Sequence, residues 1–340
     1  MKTISITAAL CVMLAAAGCA AGGTAGPNEP SASAGAVHLT NCGLSVDVDA
    51  PPRRAIALEQ NATEIMLSLG LADRMAGTSY QTDPVLPELR PSYEKVPVLA
   101  KLYPSGEAIR SANPDFVYST YSSAYATDAA GPRTDLAKLG VPAYLSGFAC
   151  EDPAEAIQTV SFDGLFTEIR DIARIFGVPE RAEQLISEQR SRLDAARDAV
   201  PSATPGGTGQ PDAGPSLLWY YSGTSTPYVA GQGGVPDAVG ALLGVRNAYT
   251  DAGQKWPAGN WEEIAERNPD VIVVADLTRG GDGDSAQSKI DFLRRNPVTS
   301  KLDAVVAGRF ITVPGSSMDP SIRSVEAAEL VGAGLRGSTR

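Results

Sequence analysis

Polar and aromatic side chains follow the predicted strands of this chain, and they are the residues best suited to bind a ligand. In an open parallel sheet, ligands bind beyond the carboxyl ends of the strands. Rings supply contact area and a guanidinium pairs with carboxylate oxygens, so such residues suit a bulky, partly anionic ligand, with local packing as the alternative role for each. The ligand-binding candidates are Gln60, Tyr80, Gln81, Tyr103, Tyr121, Ser122, Tyr125, Tyr221, Trp256, Arg279 and Arg323.

Several kinds of chemistry are excluded by what the sequence lacks. His38 is the only histidine, and no Walker or Rossmann fingerprint is present, so we expect a protein without catalytic residues. Histidine-based capture of a transition metal is equally unexpected, and Asp282-Gly-Asp284 lacks the remaining ligand spacing of a calcium loop. We therefore expect no intrinsic metal or cofactor. The segment Gly231–Gly234 before a predicted helix is either an anion site or a tight turn.

Predicted strands alternate with predicted helices along the whole chain, which indicates parallel βαβ units and an α/β fold. One sequence block, Glu-x-Ile-x4-Pro-Asp, occurs in each half, from Glu107 to Asp115 and from Glu262 to Asp270. The repeated block predicts two similar lobes, each a doubly wound parallel sheet.

A single amphipathic helix between the two blocks is predicted to join the lobes. Apolar residues recur at helical spacing within Ser161–Gly177, after an acidic N-cap candidate and before a glycine stop. The expected domains are an N-terminal lobe at 37–160, an interlobe helix at 161–178 and a C-terminal lobe at 179–340.

The N-terminus has the features of an export signal. A lone basic residue, Lys2, precedes an apolar run that is too short for a membrane span, so residues 1–18 are predicted to be a signal peptide. The residues ahead of Cys19 resemble the lipobox of bacterial lipoproteins, which implies lipidation of Cys19 and an anchor on the extracytoplasmic face of the cell membrane. An ordinary signal peptide with a chance cysteine is the alternative. Residues 19–36, rich in Ala, Gly, Ser and Pro, are predicted to be a flexible tether.

Two cysteines remain after the signal and the lipidation site, Cys42 and Cys150. An oxidising compartment and an even count favour a disulfide between them, and two buried free thiols are the alternative. The whole chain of 340 residues has a net charge of −11. This excess of acid argues against a nucleic-acid partner, which would favour a basic face.

The ordered set of segments resembles the solute-binding lipoproteins of ABC importers for ferric siderophores, haem and cobalamin. The resemblance runs from about Val37 to Leu335 and is carried by Arg54–Leu58, Ala62–Ile65, Leu69–Arg74 and the two repeated blocks. It implies two α/β lobes joined by one long helix, a ligand cleft between the lobes, and little lobe motion on binding.

The resemblance also implies a role for the glutamate that opens each repeated block. In that family, a surface glutamate on each lobe docks into arginine pockets of the permease, and the matching residues are Glu107 and Glu262. Two widely separated carboxylates on one face give orientation as well as attraction. Ordinary acidic residues at helix N-termini are the alternative.

The expected function is capture of a ferric siderophore and its delivery to an ABC permease and its ATPase, by a monomer in which iron enters only as part of the bound chelate. The alternatives within the family are cobalamin, haem or a deazaflavin-type cofactor precursor, with tyrosine as a ligand to haem iron. An exported enzyme or adhesin on the same scaffold is the alternative from a different class.

Overall fold

A computed structural model describes residues 35–154, 156, 158–200, 214–281 and 283–338. The predicted signal peptide, Cys19 and nearly all of the tether lie outside the described residues, as do residues 201–213 and Asp282. The described residues all belong to one compact unit, 34–340. None of the helices in these ranges is both long enough and apolar enough to cross a bilayer.

Strands and helices alternate as the sequence predicts. The strands are β1 (Val37–Asn41), β2 (Leu44–Val48), β3 (Ala55–Leu58), β4 (Met75–Ser79), β5 (Val98–Ala100), β6 (Phe116–Ser119), β7 (Ala143–Leu145), β8 (Ser216–Ser222), β9 (Tyr228–Val229), β10 (Arg246–Asn247), β11 (Val271–Asp276) and β12 (Phe310–Pro314). The helices are α1 (Gln60–Ser68), α2 (Arg90–Tyr93), α3 (Gly106–Ser111), α4 (Arg133–Lys138), α5 (Phe162–Ile175), α6 (Pro179–Ala199), α7 (Val235–Leu243), α8 (Trp261–Arg267), α9 (Ala286–Arg295), α10 (Asp303–Val306) and α11 (Ser324–Ser338).

Two separate sheets confirm the predicted fold class of two parallel-sheet lobes. The N-terminal sheet has the order β5-β4-β3-β6-β7 and is parallel throughout. The C-terminal sheet has the order β10-β8-β11-β12, also parallel, and the short β9 pairs antiparallel with β8. In the N-terminal sheet, β4 and β5 lie on one side of β3, and β6 and β7 lie on the other side. Such a reversal of strand order opens a crevice at the carboxyl ends of β3 and β6.

The connection between the lobes is made by α6 rather than by the helix that the sequence analysis assigned to it. Helix α5 packs on the N-terminal lobe, where Glu168 accepts hydrogen bonds from Tyr118 and Ser146. Helix α6 contacts both lobes, because Arg181 donates to the carbonyl of Leu69 while Arg192 pairs with Glu329 of α11. With 21 residues, α6 spans about 31 Å at 1.5 Å per residue.

The N-terminal hairpin is fastened to the first lobe by the predicted disulfide. Cys42 is bonded to Cys150 with their Cα atoms 5.3 Å apart, which confirms the pairing. The turn between β1 and β2 places Cys42 and Gly43 at φ of 48° and 71°, as a two-residue turn with two left-handed positions requires. Asn41 adds a second attachment, since its amide donates to the Leu145 carbonyl at 2.8 Å.

The two repeated blocks adopt the same local structure. Asn113 and Asn268 both take left-handed φ, 48° and 41°, a conformation that asparagine tolerates better than most residues. The aspartate two residues later then caps the start of a neighbouring strand. Asp115 accepts from the backbone N–H groups of Arg53 and Arg54, and Asp270 accepts from that of Ser216. The repeated block therefore has a structural role in each lobe, because it joins a helix to the sheet.

Candidate functional site

A cavity of about 650 Å³ lies between the lobes, at the carboxyl ends of the strands. Its N-terminal wall comes from the segments after β3, β4 and β6, and its C-terminal wall from those after β8, β11 and β12. The sequence candidates that line it are Gln60, Tyr80, Tyr103, Tyr121, Tyr221 and Arg279. These six residues come from six separate segments, at or after the ends of β3, β4, β5, β6, β8 and β11, and they meet at one cavity.

Two of the ligand-binding candidates are buried in the protein interior and bond to other protein groups instead of lining the cavity. Tyr125 is buried, and its hydroxyl donates to the carbonyl of Tyr144 at 2.8 Å, so it belongs to the core of the N-terminal lobe. Arg323 is buried as well and forms a two-bond ion pair with Glu64 across the lobes.

The other three candidates lie beside the cavity but do not line it. Gln81 donates to the carbonyl of Ser79 at 2.7 Å and so stabilises the segment after β4. Trp256 packs against Tyr221 with ring centroids 5.1 Å apart. Ser122 begins a short 3₁₀ turn, in which the neighbouring Ser123 contributes to the lining instead.

The lining tyrosines are held in place by contacts with neighbouring rings. Tyr80 and Tyr103 pack edge to face with centroids 4.7 Å apart. The Tyr103 hydroxyl is 3.3 Å from Ser123 Oγ. Across the cleft, Tyr221 is supported by Trp256, and the Arg279 guanidinium lies 5.8 Å from its ring centroid. These contacts fix the aromatic surface before a ligand arrives.

Two lining residues have backbone conformations that non-glycine residues rarely adopt. Glu59, directly after β3, has φ of 74°, and Tyr80, directly after β4, has φ of 52°. Such left-handed positions cost of order 1–3 kcal/mol and concentrate at functional sites. Both residues follow adjacent strands and both line the cavity, so the strained positions coincide with the candidate site.

Glu59 is a buried carboxyl that was not among the sequence candidates. It accepts hydrogen bonds from Thr120 N–H at 2.8 Å and from Ser119 Oγ at 2.7 Å. Burial raises the pKa of Glu59 to about 8, although these hydrogen bonds oppose the shift. The bonds link the ends of β3 and β6, the two strands that flank the crevice.

Asp83 joins the two walls of the cavity. Its Oδ2 accepts from the backbone N–H of Ser316 at 3.0 Å and from that residue's hydroxyl at 2.5 Å. Its Oδ1 lies 3.3 Å from Thr278 Oγ1, which also donates to the carbonyl of Thr82 at 2.8 Å. Gln60 holds this segment, because its Oε1 accepts from the N–H of Asp83 at 2.8 Å. The lobes are therefore already in contact at the base of the cleft.

The loop that carries Arg279 is supported from behind by a buried lysine. Lys289 of α9 is fully buried, and its ammonium donates to the carbonyls of Ala275, at 2.8 Å, and Asp284. Burial lowers the pKa of Lys289 to about 8. Arg279 in turn donates to Asp284 Oδ1 at 2.8 Å, so its charge is partly balanced by the protein itself.

Several lining residues were not among the sequence candidates, namely Asn61, Asp83, Asp128, Leu277 and Asp319. Asp319 follows the short 3₁₀ turn after β12, so the strand-end rule extended through that turn would have found it. Burial raises the pKa of Asp319 to about 6, opposed by its hydrogen bond with Tyr121. Asp83 and Asp128 stand in irregular segments that carry no periodic signal.

The two predicted docking residues lie outside the cleft. Glu107 and Glu262 are exposed, each in the first turn of a short helix, α3 and α8. Both helices begin with a side-chain cap, Ser105 in one lobe and Asn260 in the other. Across the described ranges, no group of three or more His, Cys, Asp or Glu side chains is arranged to hold a metal ion.

Comparison with known proteins places this geometry in a family. A family model described as Periplasmic binding protein matches residues 56–316. A solved periplasmic binding protein from Veillonella parvula is 28% identical, with a TM-score of 0.75 over 90% of this chain and 99% of that one. An ABC-type Fe3+-hydroxamate transport system protein from Saccharomonospora viridis is 21% identical, with a TM-score of 0.70 over 89% and 98% of the two chains.

A curated relative gives a further match. The Vitamin B12-binding protein of Vibrio campbellii is 24% identical over 245 residues, which cover 71% of this chain and 77% of that protein. The matched family model includes most of both lobes and most of the cavity lining. This chain belongs to the periplasmic binding protein family.

Proposed function

We propose that this chain is the lipid-anchored, extracytoplasmic solute-binding protein of an ABC importer and that it captures a ferric siderophore for delivery to the permease. The observation that carries the proposal is the cavity of about 650 Å³ between two lobes, lined by four tyrosines. Its size lies within the range of small-molecule sites, and rigid rings suit the broad apolar faces of a metal chelate.

Cobalamin is the second candidate, favoured by the similarity to the Vitamin B12-binding protein of Vibrio campbellii. Haem is a third candidate, because tyrosine ligates haem iron and four tyrosines line the cleft. A deazaflavin-type cofactor precursor would use the same aromatic surface.

Ligand titration separates these candidates. The chain without its first 19 residues is titrated with a ferric trihydroxamate, a ferric tricatecholate, cyanocobalamin and haemin, and tryptophan emission is recorded. Trp256 contacts the lining residue Tyr221 and is the expected reporter, whereas Trp219 and Trp261 are buried in the second lobe. We expect saturable quenching by a ferric chelate. A Trp256→Phe variant should bind with a smaller signal, and the absence of binding for all four compounds would contradict the proposal.

Docking to the permease is tested separately from ligand capture. Replacing Glu107 and Glu262 together by alanine should abolish uptake of the ligand by cells while its Kd stays within about twofold, since neither residue lines the cavity. Replacing the exposed acids Glu180 and Glu188 of α6 is the matched control and should leave uptake intact. A loss of ligand affinity in the Glu107/Glu262 variant would count against the docking role.

The lipid anchor is tested at Cys19. Wild-type protein expressed with its full N-terminus should incorporate labelled palmitate and fractionate with membranes, whereas Cys19→Ser should do neither. Cys11→Ser is the control and should keep the label. Labelling of Cys19→Ser would place the lipid elsewhere.

A further inference from the structure

The charged groups around the cleft are mostly acidic. Glu59, Asp83, Asp128 and Asp319 line the cavity, and Arg279 is the one cation among the described residues that line it. Arg279 is already bonded to Asp284, a carboxylate of its own loop. An anionic chelate would therefore meet four carboxyl groups and one partly neutralised guanidinium. The arrangement disfavours the partly anionic ligand that the sequence suggested.

The helix end that faces the cleft offers no compensation for an anion. Helix α1 starts at the cavity, and the N-terminus of a helix ordinarily attracts negative charge. Here the N-cap position is Glu59, whose own carboxyl lies at that end of the helix. A ligand carboxylate at this position would lie beside a second carboxyl group, that of Glu59.

Asn61, at the same wall, carries a hydrogen-bond acceptor that is unpaired within the described part of the chain. Asn61 lines the cavity and is only 3% exposed, and its Oδ1 accepts no hydrogen bond from any of the described residues. A buried acceptor without a donor is unfavourable, and a hydrogen bond from a ligand N–H group would offset that cost. This observation is independent of the carboxyl groups and calls for a donor on the ligand.

We propose that the cleft selects a ligand that carries a positively charged, N–H-donating group, such as a ferric hydroxamate chelate with a pendant ammonium. The inference rests on the proposed function and names the class of its substrate. The lining tyrosines offer the negative faces of their rings, and the carboxyls of Asp319 and Asp128 offer ionic partners. Shape and apolar contact select the chelate, and charge selects among chelates of similar size.

The buried carboxyl groups of Glu59 and Asp319 can still ionise when a cationic ligand binds beside them. Burial raises the pKa of Glu59 to about 8 and that of Asp319 to about 6, and an adjacent cation returns both groups toward the ionised form. The titratable groups that interact with Glu59 are Tyr103, Tyr118, Tyr121 and Tyr125, and those that interact with Asp319 are Tyr121, Tyr221 and Asp83. None of these groups is a cation, so a cationic ligand would place a positive charge where none of them supplies one.

A matched pair of probes tests the charge directly. Ferrioxamine B carries a free ammonium beside its ferric trihydroxamate, and N-acetylferrioxamine B is the same chelate without that charge. We expect the free-amine chelate to bind about tenfold more tightly, with a difference that shrinks at high salt. In Asp319→Asn and in Asp128→Asn the difference should fall to about twofold, while Asp73→Asn, an exposed acid away from the cavity, should keep it in full.

The outcomes separate the charge inference from the proposed function. Equal or tighter binding of the acetylated chelate overturns the inference and leaves the proposed function standing. A preference for the amine that survives both aspartate variants overturns the assignment to these carboxyls. If no ferric chelate binds, the proposed function fails, and cationic aquocobalamin is compared with neutral cyanocobalamin. Tighter binding of aquocobalamin would then support the charge inference, and equal binding, or none, would overturn it.

Discussion

At the scale of single residues, Glu64 and Arg323 form the most enclosed ion pair in the described part of the chain. Their side chains are 0% and 5% exposed, and two hydrogen bonds of 2.5 and 2.6 Å join them. Glu64 also accepts from the N–H of Leu86, and Arg323 donates to the Pro84 carbonyl. Each charge is therefore satisfied only while its partner is present.

Removing one member of this pair is expected to destabilise the protein strongly. Glu64→Gln leaves the Arg323 guanidinium buried beside a neutral amide, which should lower the free energy of unfolding by about 3–5 kcal/mol. Urea unfolding followed by circular dichroism measures this change. Glu329→Gln is the matched control, because its pair with Arg192 is 36% and 41% exposed and should contribute less than about 1 kcal/mol. Equal effects of the two substitutions would contradict the prediction.

Glu168 gives the stability a pH dependence of predictable sign. Burial raises its pKa from 4.5 to about 7, although hydrogen bonds from Ser146 and Tyr118 oppose the shift. The folded state thus holds this proton more tightly than the unfolded state. The stabilisation is complete below about pH 4.5 and is lost as the pH rises to about 7, a change of about 3 kcal/mol at 1.36 kcal/mol per unit.

The substitution Glu168→Gln removes the titrating group while keeping its shape. The free energy of unfolding of this variant should fall by about 3 kcal/mol less than that of the parent between pH 4.5 and 7. Glu188→Gln, an exposed position on α6, should give the parent's curve. A Glu168→Gln curve parallel to the parent's would show that this carboxyl titrates normally.

Residue positions were predictable from sequence where backbone topology decides them. The strand-end rule placed Tyr80, Tyr121 and Tyr221 at one cavity, because every parallel strand delivers its next residue to the same edge. It could not tell that Tyr125 turns into the core or that Arg323 meets Glu64, since these depend on which way a side chain points after a turn. Those directions follow from packing, which local sequence does not encode.

At the scale of elements, the hairpin β1–β2 depends on its disulfide. Cys42 and Cys150 are 108 positions apart, and closing so long a loop is expected to contribute about 4–5 kcal/mol in the chain-entropy model. Replacing both by serine should lower the free energy of unfolding by up to that amount without changing ligand affinity, since neither residue lines the cavity.

The comparison for this prediction is the parent protein with and without reductant. Dithiothreitol should destabilise the parent and leave the Cys42→Ser/Cys150→Ser variant unchanged. Equal effects of reductant on both proteins would show that the bond contributes nothing to the folded state. The same conclusion would follow if the double-serine variant unfolded at the same denaturant concentration as the oxidised parent.

Most elements were predictable because their signals are local. Helix α7 begins directly after Gly231–Gly234, where a helix was expected, and strands and helices alternate as the sequence predicts. The crossing helix was misassigned because amphipathic strength favours a helix packed on one sheet. Helix α5 is of that kind, whereas α6 contacts two lobes through Arg181 and Arg192 and has a more dispersed apolar face. The helix that joins two lobes is identified by its long-range contacts with both of them, and the periodicity of its apolar residues does not reveal these contacts.

At the scale of the whole molecule, the contacts at the base of the cleft limit how far the lobes can move. Asp83 is bonded to Ser316, Glu64 to Arg323, and Thr278 to the carbonyl of Thr82. Helix α6 adds a rigid connection behind them. A wide opening would break the buried ion pair, at a cost of several kcal/mol, so ligand closure should be a rotation of a few degrees.

Spin labels on the two lobes measure this rotation. Leu139 and Val306 are exposed residues of the first and second lobe, and the double variant with cysteine at both positions carries the labels. Saturating ligand should shift the mean distance by no more than about 3 Å, as expected for packed lobes that rotate slightly. Adding Glu64→Gln should broaden the distribution in the free protein, because the ion pair no longer holds the cleft, and ligand should narrow it again. A much larger change of the mean distance in the labelled parent would contradict the prediction. It would mean that α6 bends and that the contacts at the base of the cleft break and re-form in every binding cycle.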